Sequence, residues 1–344
     1  MAQLTLSQST PGAGVNMDAL HLGDFQGATI MSATSTNLLL WATRTYTLQL
    51  TGVNFAYDSN GQLDAGTITG AVLIHDTMTL RFDNLSAPAS LAPGWIATGD
   101  TQGALGVLLQ GDDVIHGTAG PDLFHGFAGN DLMIGDAGPD TIFGDAGDDT
   151  IIDGLAADLT TDGASYLRGG DGNDSILGGS GFDDINGNKG ADTIDGGPGG
   201  GDWLVGGQGN DLITAHADHN ILYGNLGDDT LMAGAGGDLM RGGQGDDSLV
   251  GGAGNDWISG DRGNDTMSGG AGADTFHTFY GAGQDRVLDF HASEGDRVQV
   301  DPGTVYLVAQ VGSDTVIDLL DGQGEMVLVG VQMSTLPSGW IFGA

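Results

Sequence analysis

Two different patterns of apolar and polar residues meet near residue 108. Before it, apolar positions alternate with polar ones. In TYTLQLTG (45–52), Tyr46, Leu48 and Leu50 face one way while Thr45, Thr47 and Gln49 face the other. In TMTLRFD (77–83), Met78, Leu80 and Phe82 do the same. Such alternation predicts half-buried β-strands. SNG (59–61) reads as a turn between two of them, and LAPGWIATGD (91–100) as a short helix. Residues 1–107 thus read as a small β-rich domain or as a cap on the region C-terminal to it. After residue 108 the pattern changes, and an apolar residue returns at every ninth position.

Aligned on GGQGNDLIT (206–214) and GGAGNDWIS (251–259), residues 108–277 give eighteen windows of nine residues. Two interruptions break the series, the seven-residue piece DGLAADL (153–159) and the single extra residue Gly196. Position 4 is Gly in seventeen windows, Asp218 being the exception. Position 6 is Asp in sixteen, the others being Ser165 and Asn220. Position 8 is apolar in all eighteen, from Ile115 to Phe276. Three residues such as Leu212, Ile213 and Thr214 make a very short strand with the position-8 side chain inward. Six residues such as 206–211 turn the chain back, with glycine where positive φ or close backbone approach is needed. One apolar side chain per window makes a thin core.

The pattern GGxGxDxUx resembles the RTX, or hemolysin-type calcium-binding, nonapeptide repeat, and it runs through about half of the chain. The resemblance implies an all-β fold: a parallel β-roll, in which two nonapeptides make one turn and residues eighteen apart stack. This RTX β-solenoid would occupy residues 108–277, flanked by the small β-rich N-terminal domain (1–107) and a β-rich C-terminal cap (278–344). It also implies calcium as the cofactor, with several ions bound.

Charge sharpens that expectation. The chain has 65 Gly, no Cys, 8 basic and 46 acidic residues, for a net charge of −38. All but two of the acids are Asp, the exceptions being Glu294 and Glu325. Short-armed carboxylates suit tight turns, whereas charge needed only for solubility would not avoid Glu. So few cations exclude nucleic acid and anionic membrane as partners. No apolar run reaches the ~18 residues of a membrane span, the N-terminus lacks the regions of a Sec signal, and a disulfide framework is impossible. Carboxylates stacked at this density repel one another. Calcium, which takes six to eight oxygen ligands from carboxylates and carbonyls in flexible geometry, resolves the repulsion better than magnesium or zinc. The candidate ligands are the position-6 residues Asp113, Asp122, Asp131, Asp140, Asp149, Asp174, Asp183, Asp192, Asp202, Asp211, Asp229, Asp238, Asp247, Asp256, Asp265 and Asp274. Pairs eighteen apart, such as Asp113/Asp131 and Asp229/Asp247, would join adjacent turns. Poor sites are expected at Asn220, whose window AHADHNILY also lacks two glycines. A small bulge is expected at Gly196, which sets Asp183 and Asp202 nineteen apart. The piece 153–159 is expected to leave the roll as a loop or to split it into two stacked rolls.

The segment GADTFHTFYGAGQDRVLDFHASEGDRVQV (272–300) is similar to the closing segment of RTX domains. Asp285 and Asp289 are candidate ligands of the last turn, with solvated turn acids as the equal alternative. VYLVAQ, SDTVIDLL and EMVLVGV (305–331) read as β-rich. The resemblance further implies a C-terminal type I secretion signal, export by the type I machinery, and a secreted, extracellular location at the cell surface or in a matrix. HExxH is absent, and the string closest to GxSxG, GGSGF (178–182), ends in Phe within a repeat turn. His116, His125, His277 and the pair in HADH (216–219) read as surface histidines of the repeats, and His21, Asp24, His75 and Asp76 form no recognisable constellation. The chain therefore reads as a non-enzymatic calcium-binding protein that folds on calcium outside the cell. As a structural component of a surface layer, biofilm matrix or adhesive filament, it would self-associate into a filament or lattice. The alternatives are an unrecognised or degenerate exoenzyme acting on polysaccharide or lipid, and a ligand-binding adhesin module.

Overall fold

The structure is a computed structural model of the 344-residue chain. It describes backbone strands within residues 3–88 and, with their side chains, residues 109–154, 163–216, 218–320, 322 and 324–343. The turn expected at 59–61, the helix expected at 91–100 and residues 155–159 of the interruption lie outside the described residues. The described residues are strands and turns, with a single 3₁₀ turn at Met333–Thr335 and no helix long and apolar enough to cross a membrane. Two compact units divide the chain, Met1–Gly170 and Asp171–Ala344.

In the first unit the alternating segments form an antiparallel meander. Strands Asn37–Trp41, Tyr46–Tyr57, Leu63–His75 and Met78–Pro88 pair in succession, with Thr29–Ala33 on the outer side of the first. Strand Gln3–Gln8 joins the other edge, antiparallel to Met78–Pro88. Its far side pairs in parallel with the first repeat strand, Val114–His116, placing Leu4 opposite Ile115. The leading edge of the repeats is thereby covered, as an open strand edge invites unwanted pairing. Beyond it, Val114–His116, Leu132–Ile134 and Thr150–Ile152 stack in parallel, one full turn apart. Leu123–His125 and Thr141–Ala146 build the opposite ladder. Across the seven-residue interruption the ladder resumes in register. The Tyr166 N–H donates to the Asp140 carbonyl at 2.8 Å, as the Thr141 N–H does to Asp122 at 2.9 Å.

The second unit repeats this scheme over more turns. One ladder runs Ser175–Leu177, Thr193–Asp195, Leu212–Thr214, Thr230–Ala235, Ser248–Ala253, Thr266–Ala271. The other runs Asp184–Lys189, Trp203–Gln208, Ile221–Leu226, Leu239–Gln244, Trp257–Arg262, Thr275–Thr278. Parallel pairing continues past residue 277. Gly283–Val287 and then Gly324–Leu328 extend the first ladder, and Arg297–Val300 and then Ile341–Phe342 extend the second. An antiparallel hairpin, Leu307–Val311 with Asp314–Asp318, folds against Gly324–Leu328. The fold is a parallel β-roll, with two windows per turn.

A three-residue strand points its middle side chain inward, which is why position 8 cannot vary in polarity. Those eighteen residues, Ile115 to Phe276, are at most 1% exposed. Val287, Val298, Met326 and Leu328 extend the same core beyond the repeats.

Candidate metal centre

The repeat turns are shaped by two positions with left-handed backbone. At position 4 that conformation falls to glycine, as at Gly245 (φ 135°), and Asp218 takes it where glycine is missing (φ 72°). At position 2 it is shared by Gly243 (φ 122°) with Asp145, Asn188, Asn225 and Asp261 (φ 69–79°). Asn and Asp are the residues other than glycine that enter this region most readily.

Turns of this shape bring the position-6 carboxylates into columns. Along these columns the N–H at position 6 donates to Oδ1 of the position-6 aspartate one turn later, except where that position holds Ser165 or Asn220. Asp113 donates to Asp131 at 2.7 Å, and Asp122 to Asp140, Asp131 to Asp149 and Asp174 to Asp192 at 2.8 Å. The bonds from Asp211 to Asp229, Asp229 to Asp247 and Asp247 to Asp265 are also 2.8 Å. Those from Asp238 to Asp256 and from Asp256 to Asp274 are 2.9 Å. The expected stacked pairs are thus in direct contact, through an amide of one turn and a carboxylate of the next. Every one of these aspartates is buried, with at most 4% exposed.

The second carboxylate oxygen sets the chemistry. Oδ2 of Asp131, Asp140, Asp192, Asp202, Asp211, Asp229, Asp238, Asp247, Asp256, Asp265, Asp274 and Asp285 is buried and has no hydrogen-bond partner. A buried carboxylate oxygen in this state is costly, and the group responds by holding its proton. Burial raises Asp192, Asp229 and Asp256 to about 6, Asp131 and Asp211 to about 7, and Asp202 and Asp247 to about 8. Bonds from the preceding backbone N–H oppose the rise, and for most of these aspartates neighbouring carboxylates add to it. Asp140, beside Asp153, is raised too, as are Asp265 and Asp285, which face one another.

Position-1 glycine completes the arrangement. A Cβ on Gly242 would collide with Asp247 Oδ2 and lie 2.7 Å from the Gly260 carbonyl oxygen. A Cβ on Gly251 would meet Asp256 Oδ2 and the Gly269 carbonyl in the same way, the latter at 2.7 Å. Bare glycine therefore leaves room where a carboxylate oxygen and a carbonyl oxygen of the next turn converge. Among the described residues no three acidic or histidine side chains cluster as a metal site, so any cation here is held by carboxylate oxygens together with backbone carbonyls. An all-oxygen donor set of this kind fits calcium. Bound calcium supplies positive charge to the Oδ2 atoms.

Not every column member is in this state. Asp122 Oδ2 accepts from the Thr118 N–H at 2.6 Å, and Asp183 Oδ2 from the Gly179 N–H at 3.0 Å. In these two turns neither position 2 (Thr118, Gly179) nor position 4 (Gly120, Gly181) is left-handed. The extra Gly196 is absorbed without loss of the column. Bonds from Asp183 to Asp202 (3.0 Å) and from Asp192 to Asp211 (2.9 Å) span nineteen residues, across a run of left-handed glycines from Gly199 to Gly201. Ser165 substitutes its hydroxyl for a carboxylate, accepting from the Asp140 N–H at 2.9 Å. Asn220 keeps the acceptor, bonded by the Asp202 N–H at 2.9 Å, and its Nδ2 donates to Asp238 Oδ1 at 3.1 Å. An internal amide thus replaces a charge at the window where a weak site is expected.

Asp285 stands in the column, its Oδ1 3.3 Å from the Asp265 nitrogen. Asp289 stands outside it. Both its oxygens are occupied, accepting from Gly269 N–H (3.0 Å), Gly270 N–H (2.9 Å) and Ser268 Oγ (2.6 Å). The next member after Asp274 is Asp296, which accepts from the Asp274 N–H at 3.0 Å and from the His291 N–H at 2.6 Å. Its spacing of 22 residues hides it from the nine-residue period. A second, exposed ladder also escapes the motif. At position 5, Asn130, Asn210, Asp228 and Asp246 accept from the position-5 N–H one turn later, at 2.8–3.0 Å. The repeated N or D before the position-6 Asp is its only sequence signal.

Stacked nonapeptide turns with a carboxylate column and glycine cradles define a calcium-repeat roll. Residues 109–142, 134–159, 168–201, 199–231, 223–257 and 241–276 match the model of the RTX calcium-binding nonapeptide repeat. Residues 109–159 and 168–276 are thus RTX calcium-binding nonapeptide repeats. Among solved structures it is similar to the AlgE6R3 subunit of the Azotobacter vinelandii mannuronan C5-epimerase, at 31% identity over 38% of this chain and 80% of that one, with a TM-score of 0.23. It is also similar to the extracellular lipase LipA of Serratia marcescens, at 18% identity over 75% of this chain, with a TM-score of 0.28. The chain spans about half the length of that lipase (51%). No curated protein sequence matches it.

Proposed function

We propose that the chain is a secreted, non-catalytic protein whose roll is folded by calcium outside the cell and serves there as a structural element of a surface layer or matrix. The observation that carries this reading is the column of buried carboxylates whose Oδ2 atoms lack hydrogen-bond partners. At neutral pH and without a cation, folding must protonate or bury these charges, and the thin core of one side chain per window offsets little of that cost. Extracellular calcium modules have Kd of about 10⁻⁴–10⁻³ M. Such sites stay empty at the submicromolar calcium of a cytoplasm and fill at millimolar calcium outside, so that binding free energy becomes folding free energy. An unfolded, acidic chain inside the cell is also the form that a type I exporter would pass.

A structural role is supported by the far end of the second unit. Among the described residues, strand Leu307–Val311 is paired on one side only, by Asp314–Asp318. Val305, Leu307 and Val311 expose 61%, 59% and 58% of their surface beside that free edge, a combination that favours joining to another chain. Far-UV circular dichroism at pH 7.5 in EDTA and then in millimolar calcium, followed by sedimentation velocity, tests both parts. The expected result is strand content and larger assemblies that appear together on calcium addition. Full strand content in EDTA would remove calcium-driven folding, and a strict monomer at high concentration in calcium would remove the structural role.

A further inference from the structure

The basic residues of this acidic chain are unevenly spent. Three of the eight, Lys189, Arg241 and Arg262, line one open groove of ≈ 770 Å³ on the second unit. The groove runs along the ends of five stacked strands. Register places Lys189, Gln208, Leu226, Gln244 and Arg262 in one line. At about 4.8 Å per strand, Lys189 and Arg262 stand roughly 19 Å apart, with amide side chains between them.

The cations are presented differently. Arg241 is fixed by a two-point bond to Asp261, Nε to Oδ2 at 2.8 Å and Nη2 to Oδ1 at 3.0 Å. Asp261 is itself held by Ser259 Oγ at 2.7 Å. Two of the five guanidinium donors are thereby used, and the side chain, 46% exposed, keeps three for another partner in a preset plane. Arg262 is exposed and makes no side-chain hydrogen bond or ion pair among the described residues. Lys189 meets Asp171 at 2.7 Å, but both side chains are more than half exposed (59% and 64%), so the pair exchanges readily for another anion. The side chains of Gln208 and Gln244 are exposed and carry no hydrogen bond of their own among the described residues. Beside Arg241 in the sheet register lies Tyr223, and Trp203, 44% exposed, meets its ring edge-on at 6.5 Å.

We propose that this groove binds an extended acidic polysaccharide, a chain of sugars carrying carboxylates at intervals. Charge separated by several strands suits an anion distributed along a chain rather than one compact anion. Guanidinium and ammonium groups bind the carboxylates, free amides pair with hydroxyls, and the exposed Trp203 ring offers an apolar face to sugar C–H groups. A neutral glycan leaves the cations unused, and an acidic peptide leaves the amides and rings unused. The groove does not depend on assembly of copies, so its test stands apart from the structural role.

The test is calorimetric titration of the full chain in calcium with a hyaluronate octasaccharide, which carries a uronate at every second sugar. Dextran oligosaccharide, free glucuronate and octa-aspartate serve as comparisons. The octasaccharide should bind more tightly than all three. R262Q and R241Q should each weaken it by about tenfold, the loss of one charge-assisted contact, while R286Q, outside the groove, leaves it unchanged. Calcium-induced dichroism of the variants confirms that they fold, and R262Q removes no side-chain hydrogen bond or ion pair among the described residues. The proposal is overturned if the octasaccharide does not bind, if a comparison ligand binds as tightly, or if a correctly folded R262Q binds like the unaltered chain.

Discussion

Replacing Asp247 by Asn should have opposite effects with and without calcium. Asp247 Oδ1 accepts from the Asp229 N–H at 2.8 Å, and an amide oxygen keeps that bond. Oδ2 is buried without a hydrogen-bond partner. Burial first, and then the carboxylates of Asp265 and Asp229, raise the group from its ordinary 3.8 to about 8. A folded-state value above the unfolded one gives stability that is full below the unfolded pKa and lost as pH rises toward the folded pKa. At pH 7 the loss spans about three pH units at ~1.4 kcal/mol each, or roughly 4 kcal/mol against the metal-free roll. Asn removes that penalty, and its Nδ2 can donate to Asp265 Oδ1 as Asn220 Nδ2 does to Asp238 Oδ1 at 3.1 Å. In EDTA, the pH at which half the strand dichroism is lost should therefore move upward. In calcium at pH 7.5 the same change deletes a carboxylate ligand, and the calcium midpoint should rise severalfold. A variant destabilised in EDTA, or one with an unchanged calcium midpoint, would refute the reasoning.

Other changes probe the same column. Unaltered chain in EDTA should gain strand content on acidification from pH 8 to about 4, because Asp131, Asp202, Asp211 and Asp247 hold protons in the folded state up to about 7 or 8; dichroism against pH reads this, and no gain would contradict it. Gly242→Ala places a Cβ against Asp247 Oδ2 and the Gly260 carbonyl, so the roll should lose about 1–3 kcal/mol and need more calcium, measured by thermal melting across a calcium series. Asn220→Asp restores a carboxylate between Asp202 and Asp238; it should steepen the calcium dependence and weaken the metal-free fold, both visible in paired titrations.

Repetition is what made parts of this fold legible in the sequence. Position 8 is legible because a three-residue strand has a single inward side chain, and Ile115 through Phe276 occupy it without exception. The position-6 column is legible for the same reason, since stacking eighteen residues apart turns a period into a contact. Direction of the two carboxylate oxygens is not legible. That Asp122 and Asp183 close on their own turns, while Asp131 or Asp247 leaves Oδ2 without a hydrogen bond, goes with the backbone of positions 2 and 4, both left-handed around Asp131 and Asp247 and neither around Asp122 and Asp183. Asp296 and the pairing of Gly283–Val287 with Gly324–Leu328 lie outside the period, because loops of unequal length separate strands that nevertheless stack. The parallel pairing of Gln3–Gln8 with Val114–His116 has no local signature at all. Alternation showed that the early strands exist, as in Tyr46–Tyr57 and Met78–Pro88, but not which edge each would join.

Hydrogen exchange at the position-6 amides reports most directly on whether the carboxylate column closes around a cation. The N–H groups of Asp211, Asp229, Asp238 and Asp247 each donate to a side-chain oxygen one turn later, so their exchange is slow only while the stack is intact. At pH 7.5 they should be strongly protected in millimolar calcium and exchange at the rate of an unfolded chain in EDTA. Equal protection in both conditions would mean that the roll stands without an ion.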